Sequence, residues 1–142
     1  MESIEVRWRG GFASREANAL HAAAFGGPVY PDQEWDWVAL VDAHSLGWVT
    51  ARVGDELVGF ANVLWDGFVH AWLQDVMVTP ARQRSGIGVA LVELATVVGE
   101  LRRCLCVRAV GPRAVRTAGA SAWSGGLAHR DQQLGDLEGE VE

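Results

Sequence analysis

Apolar positions along this chain change their spacing several times, and each change marks an element. Ile4, Val6 and Trp8 alternate with Glu5 and Arg7, the period-two pattern of a half-buried strand, which places β1 over 4–8. Ser14 reads as the N-cap of a helix α1 running to Phe25, with Ala17, Leu20, Ala24 and Phe25 along one stripe. Gly26-Gly27-Pro28 stops that helix. Asp32 reads as the cap of a second helix, α2, in which Trp35, Val38 and Val41 recur at helical spacing as far as Ser45.

Three strands follow in quick succession. Residues 47–53 (β2) and 57–65 (β3) flank Gly54-Asp55-Glu56, a hairpin signal, and Asp66-Gly67 turns the chain into β4 over 69–78. Pro80 ends β4, and Ser85-Gly86 precedes a helix α3 over 87–100. Its Ile87, Ala90, Leu91, Leu94, Ala95 and Val98 keep the i, i+3, i+4, i+7 rule. CLCVRAV then restores strand character and places β5 over 104–110. The order β1-α1-α2-β2-β3-β4-α3-β5 predicts an α/β fold of the mixed α+β kind, with a mostly antiparallel central sheet flanked by helices. Residues 1–110 form the expected domain, and 111–142 an atypical, irregular and partly disordered tail rich in Gly, Ala, Arg and Ser.

Composition narrows the classes of function. A chain of 142 residues with 49% hydrophobic and 21% charged residues suits one globular domain. No apolar run reaches the ~20 residues that span a bilayer. The opening residues lack the basic and apolar regions of a signal peptide, so a cytoplasmic location is expected, with no membrane partner. A net charge of −6 argues against a nucleic-acid partner. Cys104 and Cys106, two apart on a strand, share one face with Cα atoms held about 6.6 Å apart by the extended backbone, the long end of what a disulfide spans, and read as buried free thiols rather than a disulfide or a shared metal site, so no metal is expected.

The stretch that carries chemistry is VMVTPARQRSGIG, residues 76–88. A strand runs into a short loop, and Gly86 and Gly88 lie at the mouth of an apolar helix. The first turn of a helix has unpaired N–H groups and a partial positive charge, so it attracts phosphate. Glycine lets backbone approach the phosphate oxygens, and Arg82 and Arg84 add charge. A Rossmann reading lacks its third glycine and its parallel strands, and a P-loop needs a lysine that this chain does not contain.

In that setting Gln83-x-x-Gly86-x-Gly88 resembles the signature of the GNAT superfamily of N-acetyltransferases. The resemblance covers about residues 4–110, and the words EVRWRGGF, HSLGWV and LVGFANVLWDG are similar to a bacterial subgroup of unassigned substrate. It implies acetyl-CoA as co-substrate and transfer of its acetyl group to the amine of a small molecule or peptide. Met77 and Val78 would offer backbone groups to the pantetheine arm. The amides of Arg84, Ser85, Gly86, Ile87, Gly88 and Val89 would wrap the pyrophosphate, with Gln83 steadying the loop. Family enzymes place an acidic residue on the strand corresponding to β4, and here Asp75 is the candidate base or anchor for the substrate amine. His70 reads as a surface histidine. Because many relatives are dimers, a homodimer enters as an expectation.

The resemblance fails past about Gly99. Family enzymes usually continue with a Tyr-bearing helix and a strand around a G-F pair, whereas the one tyrosine here, Tyr30, lies far upstream. A diverged C-terminal half and a reading frame shifted near residues 97 to 104 both account for this. Two functions therefore stand side by side. One is an active N-acetyltransferase, with Asp32, Glu34, Asp36 and Asp42 drawing a cationic acceptor and Trp35 and Trp37 lining its cleft. The other is a catalytically impaired module that binds CoA, or dimerises through its seven Trp.

Overall fold

In the computed structural model, the described residues are 2–68 and 70–98, with the backbone of 106–110. The expected tail over 111–142 and Cys104 lie outside them, and Cys106 is described by its backbone alone. The elements are β1 (Ile4–Trp8), α1 (Ser14–Phe25), α2 (Trp37–His44), β2 (Ser45–Val53), β3 (Glu56–Trp65), β4 (His70–Val78), α3 (Ile87–Val97) and β5 (Cys106–Val110). A single 3-10 turn, Pro80–Arg82, joins β4 to the loop before α3. The sheet runs β1-β2-β3-β4-β5, with antiparallel pairing throughout except that β5 lies parallel to β4. This is the expected mixed, mostly antiparallel sheet flanked by helices.

Two helix starts differ from the sequence reading. Ser14 is the first helical residue of α1 rather than its cap: the cap is Ala13, whose N–H donates to the Glu16 carboxylate at 2.8 Å. The Ser14 hydroxyl instead accepts from the Val38 N–H at 3.1 Å and donates to Asp36 at 2.8 Å, stitching α1 to α2. Asp32 does not cap α2 either. The N–H groups of Glu34 and Trp35 both bond the Pro31 carbonyl, which closes a separate turn, and the helix begins afresh at Asp36. There the Asp36 carboxylate accepts from the Ala39 N–H at 3.1 Å.

The sheet separates two unlike clusters. On one face α3 sets Ile87, Leu91, Val92 and Ala95 against Val49, Ala51, Val58, Ala61, Val63 and Leu73. The Ile, Leu and Val side chains among them each contribute roughly 1.5–3 kcal/mol through burial. Gly59 permits the close approach of α3, since a Cβ there would lie 2.9 Å from Ile87 Cγ2 and 3.1 Å from Leu91 Cδ1. On the other face, α1 and α2 pack Ala17, Leu20, Trp37 and Val41 on Leu57, Phe60 and Met77.

Candidate active site

The centre of the site is an irregularity in β4. Phe60 pairs with Met77 and Asn62 with Gln74, so two steps along β3 match three along β4. The surplus residue is absorbed beside Asp75, whose φ of 53° is left-handed, a conformation that costs a non-glycine residue about 1 kcal/mol or more. Over the described residues, β5 pairs with His70 through Gln74. Among the described residues, the outer edge of β4 from Asp75 to Val78 therefore has no partner strand. Backbone alternation decides which groups that edge presents. The Thr79 N–H donates to the Val58 carbonyl at 2.9 Å, which turns the peptide groups of Met77 inward to β3 and those of Val78 outward. The Gln83 side-chain amide donates to the Val78 carbonyl at 3.2 Å and ties the loop to the strand end.

The loop delivers the chain to α3 with its first turn uncovered. Gly86, the N-cap, has φ 90° and ψ −3°, and no side chain caps the helix. A Cβ at Gly86 would meet nothing within 4 Å, so the space over the helix mouth is open. The first helical bond is Ala90 N–H to Gly86 carbonyl at 3.0 Å, which leaves the amides of Ile87, Gly88 and Val89 without an acceptor inside the helix. Arg84 is a second left-handed residue, with φ 63°, and the Ser85 hydroxyl donates to the Arg82 carbonyl at 2.5 Å. Ile87 is buried against the sheet, so its side chain anchors the mouth. Arg82, expected to lend charge to the loop, is engaged with Glu2 at 2.6 Å.

Around the corner from this edge, α1, α2 and the bulge enclose a cleft of about 540 Å³. Its lining includes His21, Glu34, Trp35, Asp36, Trp37 and Asp75. Burial pushes the Asp75 carboxyl above the ordinary aspartate range; the Asn62 amide, the His21 imidazole and the Gln74 side chain pull the other way without cancelling it. Asn62 is fully buried and its Oδ1 accepts from the Ser45 hydroxyl at 2.5 Å, while its Nδ2 neighbours Asp75 and completes no hydrogen bond of ordinary geometry. The carboxyl of Asp36 is held below its usual range by the Ala39 N–H and the Ser14 hydroxyl.

The aromatic wall is fixed by one asparagine. Asn18, 2% exposed, accepts from the Trp37 indole N–H at 2.9 Å and donates to the Trp35 carbonyl at 3.0 Å and to Asp32 at 3.2 Å. Trp35 stacks on Tyr30 with centroids 4.3 Å apart and meets His21 edge-on at 5.1 Å. Of the acidic residues around α2, Glu34 and Asp36 line the cleft, whereas Asp32 is turned to Asn18. His70 lies outside the cleft, with its Nδ1 2.9 Å from the Asp66 carboxylate. Asn18, His21 and Asn62 were not singled out from sequence. Asn62 alone left a signal, as the one amide within the otherwise apolar run LVGFANVLW.

A bulged strand thus lies beside an uncapped helix mouth and a cleft floored by a buried carboxyl. The pattern of the acetyltransferase (GNAT) family matches residues 14–118, and the chain belongs to that family. It is 32% identical over 103 residues to a mycothiol acetyltransferase of Nocardia farcinica, and that match takes in 70% of this chain but only 34% of the relative. The chain thus spans about a third of that enzyme's length. A GNAT-family acetyltransferase of Streptococcus pneumoniae TIGR4 superposes with a TM-score of 0.63 at 24% identity, over 87% of this chain and 86% of that one. A GNAT-family acetyltransferase of Brucella melitensis, solved in complex with acetyl-CoA, superposes with a TM-score of 0.62 at 20% identity, over 88% of this chain and 83% of that one. At these identities the structural likenesses establish the fold.

Among the described residues, no helix is long and apolar enough to cross a membrane. No group of three or more His, Cys, Asp or Glu among them could hold a metal ion.

Proposed function

We infer that this domain binds acetyl-CoA along the open edge of β4 and the mouth of α3, and transfers its acetyl group to an amine seated in the cleft. The observation that carries this is the bulge of β4 at Asp75, which brings the cleft floor beside the strand end that leads to the uncapped mouth of α3. Donor edge and acceptor cleft therefore meet at one bulge. The residues suit the donor: Val78 presents its amide and carbonyl outward, and the amides of Ile87, Gly88 and Val89 face an uncapped opening suited to pyrophosphate. Arg84, Ser85 and Gly86 shape that opening, and Gln83 holds it to the strand. Met77 serves through its side chain, fully buried beneath the bulge.

Acetyl-CoA supplies an activated acyl group whose leaving thiolate accepts a proton. The amine must lose one before it can attack, and Asp75 is placed to take it. A carboxyl raised by burial is a stronger base than an exposed aspartate, and the neighbouring Asn62 amide steadies its ionised form.

The test is thermal unfolding with and without acetyl-CoA, paired with release of CoA thiol in the presence of amines. Acetyl-CoA should stabilise the wild type. Gly86→Glu should abolish that response by placing negative charge over the helix mouth, while Gly86→Asn, which tolerates a left-handed backbone, should retain most of it. Equal stabilisation of wild type and Gly86→Glu would sink the donor assignment. Stabilisation without thiol release would leave a CoA-binding module rather than a transferase.

A further inference from the structure

We propose that the acceptor is a diamine, with one nitrogen reacting at Asp75 and a second, which stays protonated, held at the rim by Trp35 and Glu34. This rests on reading the cleft as the acceptor side. The cleft has two chemically separate ends. At its floor is Asp75, buried, at the bulge of β4 where an acyl donor would enter. At its rim are Glu34 and Trp35, both exposed. The nitrogen that attacks must shed its charge at the floor, so negative charge at the rim does nothing for it. A carboxylate and an indole there suit a different part of the molecule.

Trp35 is exposed but not loose. Its carbonyl is bonded to Asn18, its N–H to the Pro31 carbonyl, and its ring stacks on Tyr30 and meets His21 and Trp37 in T-shaped contacts. A 38% exposed indole held from backbone and side chain alike is a preorganised surface, and an indole face attracts ammonium when one is placed over it. Charge agrees. Glu34, Asp36 and Asp75 line the cleft, and His21 and His44 are the basic side chains among the described residues that line it. Asp36 is kept ionised by its bonds to the Ala39 N–H and the Ser14 hydroxyl, so it adds a standing negative charge next to Trp35. A volume of about 540 Å³ accommodates an unbranched diamine at full length.

The test is calorimetric titration of the whole chain at low salt with 1,4-diaminobutane and with butylamine, without acetyl-CoA. The diamine should bind at least tenfold more tightly, and salt should erode the difference. Glu34→Gln, an isosteric surface change, should cut the preference severalfold, and Trp35→Leu should cut it further; both should keep the thermal response to acetyl-CoA. Equal affinity for the two amines, or a preference that survives Glu34→Gln and Trp35→Leu together, overturns the proposal. Thiol release separates this outcome from failure of the transferase reading. Turnover of both amines with equal kcat/KM refutes the diamine site alone, whereas tight diamine binding with no release from any amine refutes acetyl transfer alone.

Discussion

The two faces of the sheet are built by different means. Under α3 the contacts are aliphatic: Ile87, Leu91, Val92 and Ala95 against valines, alanines and leucines of the strands. Under α1 and α2 they are aromatic and polar, with Phe12, Trp37 and Phe60 packed edge to face and Asn18 binding both tryptophan segments. The first arrangement holds one helix end steady, and the groups it offers a ligand are backbone amides. The second shapes a cleft whose chemistry lies in side chains. A donor common to a whole family needs only the former, whereas a particular acceptor needs the latter.

Substitutions on each face should separate donor from acceptor behaviour. The largest effect is expected at the junction. Asp75→Asn should lower kcat by about 10²- to 10⁴-fold, the usual worth of a positioned base, and leave the thermal shift with acetyl-CoA in place. Because burial raises the folded carboxyl above its unfolded value, the stability it contributes is full below the ordinary aspartate range and is lost as pH rises through the raised value. Urea unfolding of wild type should therefore fall behind Asp75→Asn as pH rises, and parallel curves would remove burial as the cause. For wild-type kcat/KM, the same titration predicts a rise with pH as the base ionises.

Next come changes confined to one face. Gly59→Val should cost roughly 1–3 kcal/mol through overpacking against Ile87 and Leu91. Because it displaces α3, it should weaken acetyl-CoA binding more than amine binding. Asn18→Ala should cost about 1–3 kcal/mol by leaving the Trp37 indole N–H unpaired in the core. Its signature should be reversed, with amine affinity lost and the acetyl-CoA response kept. If both variants impair both ligands equally, the two faces do not act independently.

The smallest effect belongs to the Arg52–Glu16 pair, 2.8 Å apart and partly exposed, where Glu16→Gln should cost about 1 kcal/mol or less. The Arg52 guanidinium holds the Glu16 carboxyl below its usual range. That contribution is present above the ordinary glutamate value and lost as pH falls through the lowered one. Wild type and variant should therefore converge in acid, which urea titration at several pH values would check.

Local signals accounted for the elements around the mouth of α3. The switch from period two to period 3.6 after Val78, with Pro80 and two glycines between, located the strand end, the loop and α3, because each depends on residues within one or two turns. The caps were less legible. Ser14 and Asp32 are both good N-cap residues by type, but Ser14 was recruited by α2 and Asp32 by Asn18.

The acceptor side depended on contacts between distant residues. Asp75 was nominated by kinship alone; that it sits on a bulge, with a raised carboxyl and a left-handed backbone, follows from β3 and β4 pairing two residues against three. His21, Trp35 and Asp75 are scattered along the chain yet line one cleft. Hydrophobic period is a property of neighbours in sequence, and so it reports which elements form. Burial, pairing register and electric field are properties of neighbours in space, and these set what Asp75 and Trp35 can do.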